Sequence, residues 1–122
     1  MKVYTGIDLI EIERFEKLAP AIRERFIHRV LTEKERLEVK DSNASLAGKF
    51  AAKEAVVKAI GCGIGPISFQ DMEILHDANG RPLLNLSKDA LKIIQELKLK
   101  EWSLSISHSR QYAVAAATFL GE

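Results

Sequence analysis

"LAGKFAAKEAVVKAIGCGIG", residues 46–65, decides how this chain folds. The stretch is apolar almost all round a helical wheel, yet it carries Lys49, Lys53, Glu54 and Lys58 and then breaks into Gly61, Gly63 and Gly65. A helix of that composition is buried over most of its circumference, and charges within it are costly unless they are paired, metal-bound or turned towards a ligand. At about 100° per residue, Glu54 and Lys58 share one flank while Lys49 and Lys53 share another. The preceding "DSNAS", residues 41–45, supplies capping side chains, so the helix is predicted over 43–60 with its stop at Gly61.

On the N-terminal side, "KVYTGIDLI" (2–10) predicts a buried strand in which Asp8 is the one carboxylate. From Glu11 to Lys40 the pattern is helical and amphipathic, interrupted at Ala19-Pro20, which implies two or three short helices. On the C-terminal side, "ISFQDMEILHD" (67–77) and "RPLLNL" (81–86) form a predicted hairpin about Asn79-Gly80. "SKDALKIIQELK" (87–98) predicts an amphipathic helix capped by Ser87. "EWSLSISHS" (101–109) alternates Trp102, Leu104, Ile106 and His108 with serines, and "YAVAAATFL" (112–120) returns as a small-residue strand. Helices grouped between an N-terminal strand and antiparallel strands predict an α+β fold, one compact domain spanning 1–122.

Eighteen basic against seventeen acidic residues leave a net charge of +1, which argues neither for a nucleic-acid binder nor for a polybasic membrane protein, so that any basic patch must be local. The N-terminus lacks a signal-type apolar core and no stretch approaches ~18 apolar residues, so a soluble, cytoplasmic protein is expected. Cys62 is the only cysteine, excluding an internal disulfide or a cysteine-based zinc cluster, and between two glycines it reads as a small loop residue.

The four charges of the long helix admit two readings. In one, Glu54 and Lys58 form an i,i+4 ion pair while Lys49 and Lys53 extend to solvent along their aliphatic stems. In the other, Asp8 and Glu54 hold Mg²⁺, which favours one or two protein carboxylates with water and phosphate oxygens, and the lysines neutralise a polyphosphate. The glycines fit neither the P-loop nor the dinucleotide fingerprint, and alone they read as a helix stop. His108, at a strand end among hydroxyls, is either structural or a phosphate donor.

"GIDLIEIERFEK" (6–17), the long helix, "SFQDMEI" (68–74) and "SLSISHSRQYAVA" (103–115) occur in an order and spacing that resembles the bacterial holo-[acyl-carrier-protein] synthase family of 4′-phosphopantetheinyl transferases, over nearly the whole chain. The resemblance implies magnesium-dependent transfer of 4′-phosphopantetheine from coenzyme A to a serine of apo acyl carrier protein. It also implies a homotrimer with active sites between subunits. By position, Asp8 and Glu54 look like the metal ligands. Glu54, or a metal-bound water it orients, would accept the serine proton, and Lys58 would stabilise or protonate the departing bisphosphate. Lys49, Lys53 and Lys58 are similar to positions that meet the phosphates of coenzyme A, with Gly61, Gly63 and His108 beside them. Lys49 stands where relatives can carry arginine, whose planar fork it gives up. Arg14, Arg25, Phe26 and Arg29 match positions that dock the acidic carrier. Two other readings compete: a coenzyme A or nucleotide binder without catalysis, and a trimer-forming module whose charges are only ion-paired.

Overall fold

The computed structural model describes residues 1–62 and 65–122. Strand β1 (Lys2–Glu11) leads into three short helices, α1 (Glu13–Glu16), α2 (Pro20–Val30) and α3 (Glu33–Val39). The long helix α4 (Asn43–Ile60) follows, then a 3₁₀ turn at Phe69–Asp71, the hairpin β2 (Met72–His76) and β3 (Pro82–Leu86), helix α5 (Lys88–Glu96), and strands β4 (Leu99–His108) and β5 (Tyr112–Gly121). The expected α+β architecture is present, with two antiparallel sheets: a three-stranded one ordered β1-β5-β4, and the β2-β3 hairpin.

Local chemistry sets the boundaries. Ala19 is extended (φ −58°, ψ 143°) ahead of Pro20, which fits the first turn of α2 because its missing N–H has no partner there in any helix. Ser42 caps α4 by accepting from the Ser45 N–H at 3.0 Å, and Gly61 ends it in the left-handed region (φ 82°) that other residues avoid. The strand expected from Ile67 begins only at Met72. Asp71 accepts from the Ser68 N–H at 2.9 Å, and this capping box winds Phe69–Asp71 into a turn first.

Helix α4 lies across the inner face of the three-stranded sheet, where Ala113, Ala115, Ala117 and Phe119 of β5 meet buried alanines and valines of the helix. Small residues let the layers come close. Gly6 of β1 is the tightest point: a Cβ there would lie 1.9 Å from the Ala55 carbonyl oxygen. Strand β1 was expected to be buried throughout, but only one face is. Val3, Ile7 and Leu9 point outward and are each more than 60% exposed (63%, 64% and 62%). This leaves Asp8, with Gly6 and Ile10, on the inward side facing α4.

Candidate active site

Asp8 enters from β1 and Glu54 and Lys58 from the facing turns of α4. The Lys58 ammonium donates to Asp8 Oδ1 at 2.9 Å and to the Ile7 carbonyl at 3.0 Å. Lys58 therefore pairs across the strand–helix interface with Asp8, rather than along the helix with Glu54. The other oxygen, Asp8 Oδ2, is buried, and no donor among the described residues reaches it. A carboxylate oxygen left without a partner in a protein interior costs free energy, and something must offset it.

Glu54 is partly buried. Desolvation and the negative charge of Asp8 push its pKa above the usual carboxylate value, while Lys58 and Arg14 pull the other way. Two carboxylates close enough to repel, one with a bare buried oxygen, are relieved together by a cation. Hard oxygen donors of this kind suit Mg²⁺. Among the described residues no group of three or more His, Cys, Asp and Glu side chains is placed to hold a metal ion. A cation held there would have Asp8 and Glu54 as its protein ligands. The residues present fit the metal.

Arg14 lies outside this pair, its guanidinium carbon 5.6 Å from the Phe50 ring centroid and 5.9 Å from that of Phe15. Phe26 is half-buried, 5.3 Å from Phe15 and 5.2 Å from Phe50 between ring centroids. It joins α2 to α4 through an aromatic cluster more than it projects outward. Arg25 and Arg29 are exposed on α2, whereas Arg23 is bound to Asn43 Oδ1 at 2.7 and 2.9 Å and pins α2 to the start of α4.

Lys49 and Lys53 depart most from expectation. Neither extends to solvent, and both are buried with side chains 1% and 0% exposed. Lys53 donates to Glu35 Oε1 at 2.7 Å and to the carbonyls of Val30 (2.6 Å) and Phe69 (3.0 Å). Burial pulls its pKa down, and Glu35 opposes that. Lys49 donates to Glu38 Oε1 at 2.6 Å and to the Ile74 carbonyl. Burial alone would raise the Glu38 pKa, but hydrogen bonds from Lys49 and His76 outweigh it and bring it to about 2. So Lys53 is closed to a phosphate within this chain, for lack of both exposure and a spare donor.

Lys49 keeps one flank towards a cavity of about 330 Å³ that Ser42, Ser45, His76 and His108 also line. His108 is exposed at the end of β4, and Gly61 has open space where a Cβ would stand. Gly63 lies outside the described residues. His76 and Glu38 were not singled out from the sequence. They belong to different elements and meet only in the folded chain, at 2.6 Å between Nδ1 and Oε1.

A family model of the 4′-phosphopantetheinyl transferase superfamily matches residues 4–117. A holo-[acyl-carrier-protein] synthase of Herpetosiphon aurantiacus is 40% identical over 96% of this chain and 98% of its own. Among solved structures, the Helicobacter pylori holo-[acyl-carrier-protein] synthase in complex with coenzyme A is 36% identical with a TM-score of 0.86, covering 95% of this chain and 99% of that one. The Bacillus anthracis synthase, in complex with CoA (3′,5′-ADP), is 38% identical with a TM-score of 0.79, covering 98% and 96%.

Proposed function

Because the chain belongs to the 4′-phosphopantetheinyl transferase superfamily, we propose that it is a transferase that moves the 4′-phosphopantetheine of coenzyme A onto a serine hydroxyl of apo acyl carrier protein, in support of fatty acid biosynthesis. The products are holo acyl carrier protein and adenosine 3′,5′-bisphosphate. The observation that carries this reading to particular residues is the buried, donor-less Asp8 Oδ2 set against Glu54 and Lys58.

Asp8 and Glu54 would hold Mg²⁺, which when bound supplies charge neutralisation at the pyrophosphate. The serine oxygen bonds to the β-phosphorus of coenzyme A as the bond from that phosphorus to the bridging oxygen breaks, and the bisphosphate leaves. Glu54, a carboxylate made more basic by burial and by the charge of Asp8, accepts the serine proton. Lys58 is half exposed and can turn its ammonium from Asp8 to the departing phosphate. Arg14, Arg25 and Arg29 would meet the acidic carrier, and His108 and Lys49 line a cavity open to the phosphates or adenosine of coenzyme A. A homotrimer belongs to the same reading; Val3, Ile7 and Leu9 present an uncovered apolar stripe on the sheet, which supports association of subunits. Cytoplasmic residence belongs to the same proposal. No helix among the described residues is long and apolar enough to cross a membrane.

Calorimetric titration with Mn²⁺ or Mg²⁺ in the presence of coenzyme A tests the site. Wild type should bind the ion, and Asp8→Asn and Glu54→Gln should each lose binding together with carrier modification. Undiminished modification in excess chelator would overturn the role of the metal.

A further inference from the structure

Lys53 immediately precedes Glu54 on α4, so whatever holds Lys53 also fixes the turn that carries the proposed base. An ammonium has three N–H donors. All three are taken, by Val30 O, Glu35 Oε1 and Phe69 O, and the side chain is fully buried. The acceptors lie on separate pieces of the fold. Val30 is the last residue of α2, the helix that bears Arg25 and Arg29. Glu35 belongs to α3, and Phe69 opens the 3₁₀ turn ahead of β2.

Glu35 is as fully engaged as its partner. Its Oε1 also accepts from the Thr32 N–H at 2.9 Å, and its Oε2 accepts from the Ile74 N–H at 2.9 Å. The pair therefore ties α2, α3, the 3₁₀ turn and β2 to a single point on α4. Stability is a weak reason for such a device, because the desolvation of two buried charges commonly cancels their attraction and a well-packed apolar pair serves as well. What an apolar pair cannot do is bond two backbone carbonyls and two backbone N–H groups in fixed directions. That is a function of geometry.

We propose that Lys53, through Glu35, is a positioning residue that sets the carrier-docking helix α2 at a fixed distance from the Glu54 turn of α4, and that it takes no part in binding coenzyme A. The proposal rests on the reading of Glu54 as base and α2 as docking helix. Its consequence is a division of labour along α4, in which the flank carrying Glu54 and Lys58 serves the reacting atoms while Lys53 holds the second substrate's platform in register with them.

The test uses the full chain, with coenzyme A affinity measured by calorimetry in the absence of carrier, and kcat and carrier KM measured by intact mass of the carrier. Lys53→Met alone would strand the Glu35 carboxylate, so the informative variant is Lys53→Met with Glu35→Gln, which removes both charges and keeps an acceptor for the Thr32 or Ile74 N–H. Lys53→Arg, which keeps the charge but not the three-point geometry, is the second. Both are expected to melt cooperatively, to bind coenzyme A within ~3-fold of wild type, and to lose ~10-fold or more in kcat, because small misplacements of reacting groups are costly in rate. A drop of ~10-fold or more in coenzyme A affinity with kcat preserved would overturn the proposal and make Lys53 a phosphate ligand. Unchanged constants, or loss of cooperative melting in both variants, would overturn it in favour of a purely structural pair. Failure of the wild type itself to modify the carrier would count against the transferase reading instead, and the coenzyme A affinities would still decide whether Lys53 binds that ligand.

Discussion

Gly6→Ala is the perturbation whose outcome the structure determines most closely. Gly6 sits two residues before Asp8, at the point where β1 crosses α4, and an added Cβ would lie 1.9 Å from the Ala55 carbonyl oxygen and 2.7 Å from the Ala59 nitrogen. These are backbone atoms in the last turns of α4, so no side-chain rotation can relieve the clash. Ordinary contact begins near 3.4 Å, which means that strand and helix must separate by about 1.5 Å at this crossing. Overpacking in a core typically costs ~1–3 kcal/mol, and the unyielding neighbours place this case near ~3 kcal/mol, or a fall of roughly 10 °C in Tm for a domain of this size. The separation opens between Asp8 and the turn bearing Glu54 and Lys58, so activity should fall by more than stability alone implies. A displacement on the order of 1 Å costs ~10²-fold in rate. Circular dichroism melting and the rate of carrier modification, measured well below the variant's Tm, give both numbers. A Gly6→Ala protein that melts with the wild type and retains its kcat would refute the close strand–helix approach as the basis of the site.

Other expectations follow from the same geometry. Glu54→Gln should lose ~10²-fold or more in kcat while its Tm is unchanged or higher, because the folded environment disfavours the carboxylate charge that the amide removes; full activity in this variant would remove Glu54 from the mechanism. Glu38 has a folded pKa of about 2 against an ordinary 4.5, so its contribution to stability is present above pH 4.5 and is lost as pH falls towards 2. The Tm gap between wild type and Glu38→Gln should accordingly close across that window, and a constant gap would contradict the ion pairing with Lys49. Arg25→Ala and Arg29→Ala should raise the carrier KM several-fold and weaken its salt dependence with coenzyme A affinity intact; an unaltered KM in both would move the docking surface elsewhere. If Val3, Ile7 and Leu9 line the proposed subunit contact, Ile7→Asp should lower the mass measured by light scattering to that of a monomer, and an unchanged mass would show that the β1 face is not the contact.

The long helix was legible because its signals are local: capping residues at 42–45, unbroken helix formers, and a glycine at 61 that alone fits the left-handed stop. Asp8, Glu54 and Lys58 were legible as isolated charges in apolar surroundings, although which of them would pair was not. The sequence spacing favours Glu54 with Lys58, and only the packing of β1 on α4 brings Lys58 to Asp8. The fates of Lys49 and Lys53 were hidden for the same reason. Their carboxylate partners, Glu38 and Glu35, lie on α3, and the carbonyls they bond lie on α2, the 3₁₀ turn and β2, a set of encounters that no periodicity encodes. Strand β1 misled in another way. Its outward residues Val3, Ile7 and Leu9 are as apolar as a core, so the alternation that marks a one-sided strand is absent.

Phosphopantetheine transfer is read directly from the intact mass of a purified apo acyl carrier protein after incubation with this protein, coenzyme A and Mg²⁺, beside a chelator control. The carrier should gain one phosphopantetheine, and the gain should vanish in the chelator and with Asp8→Asn. A carrier of unchanged mass, from a protein that still binds coenzyme A, would contradict it and leave a binding protein in its place.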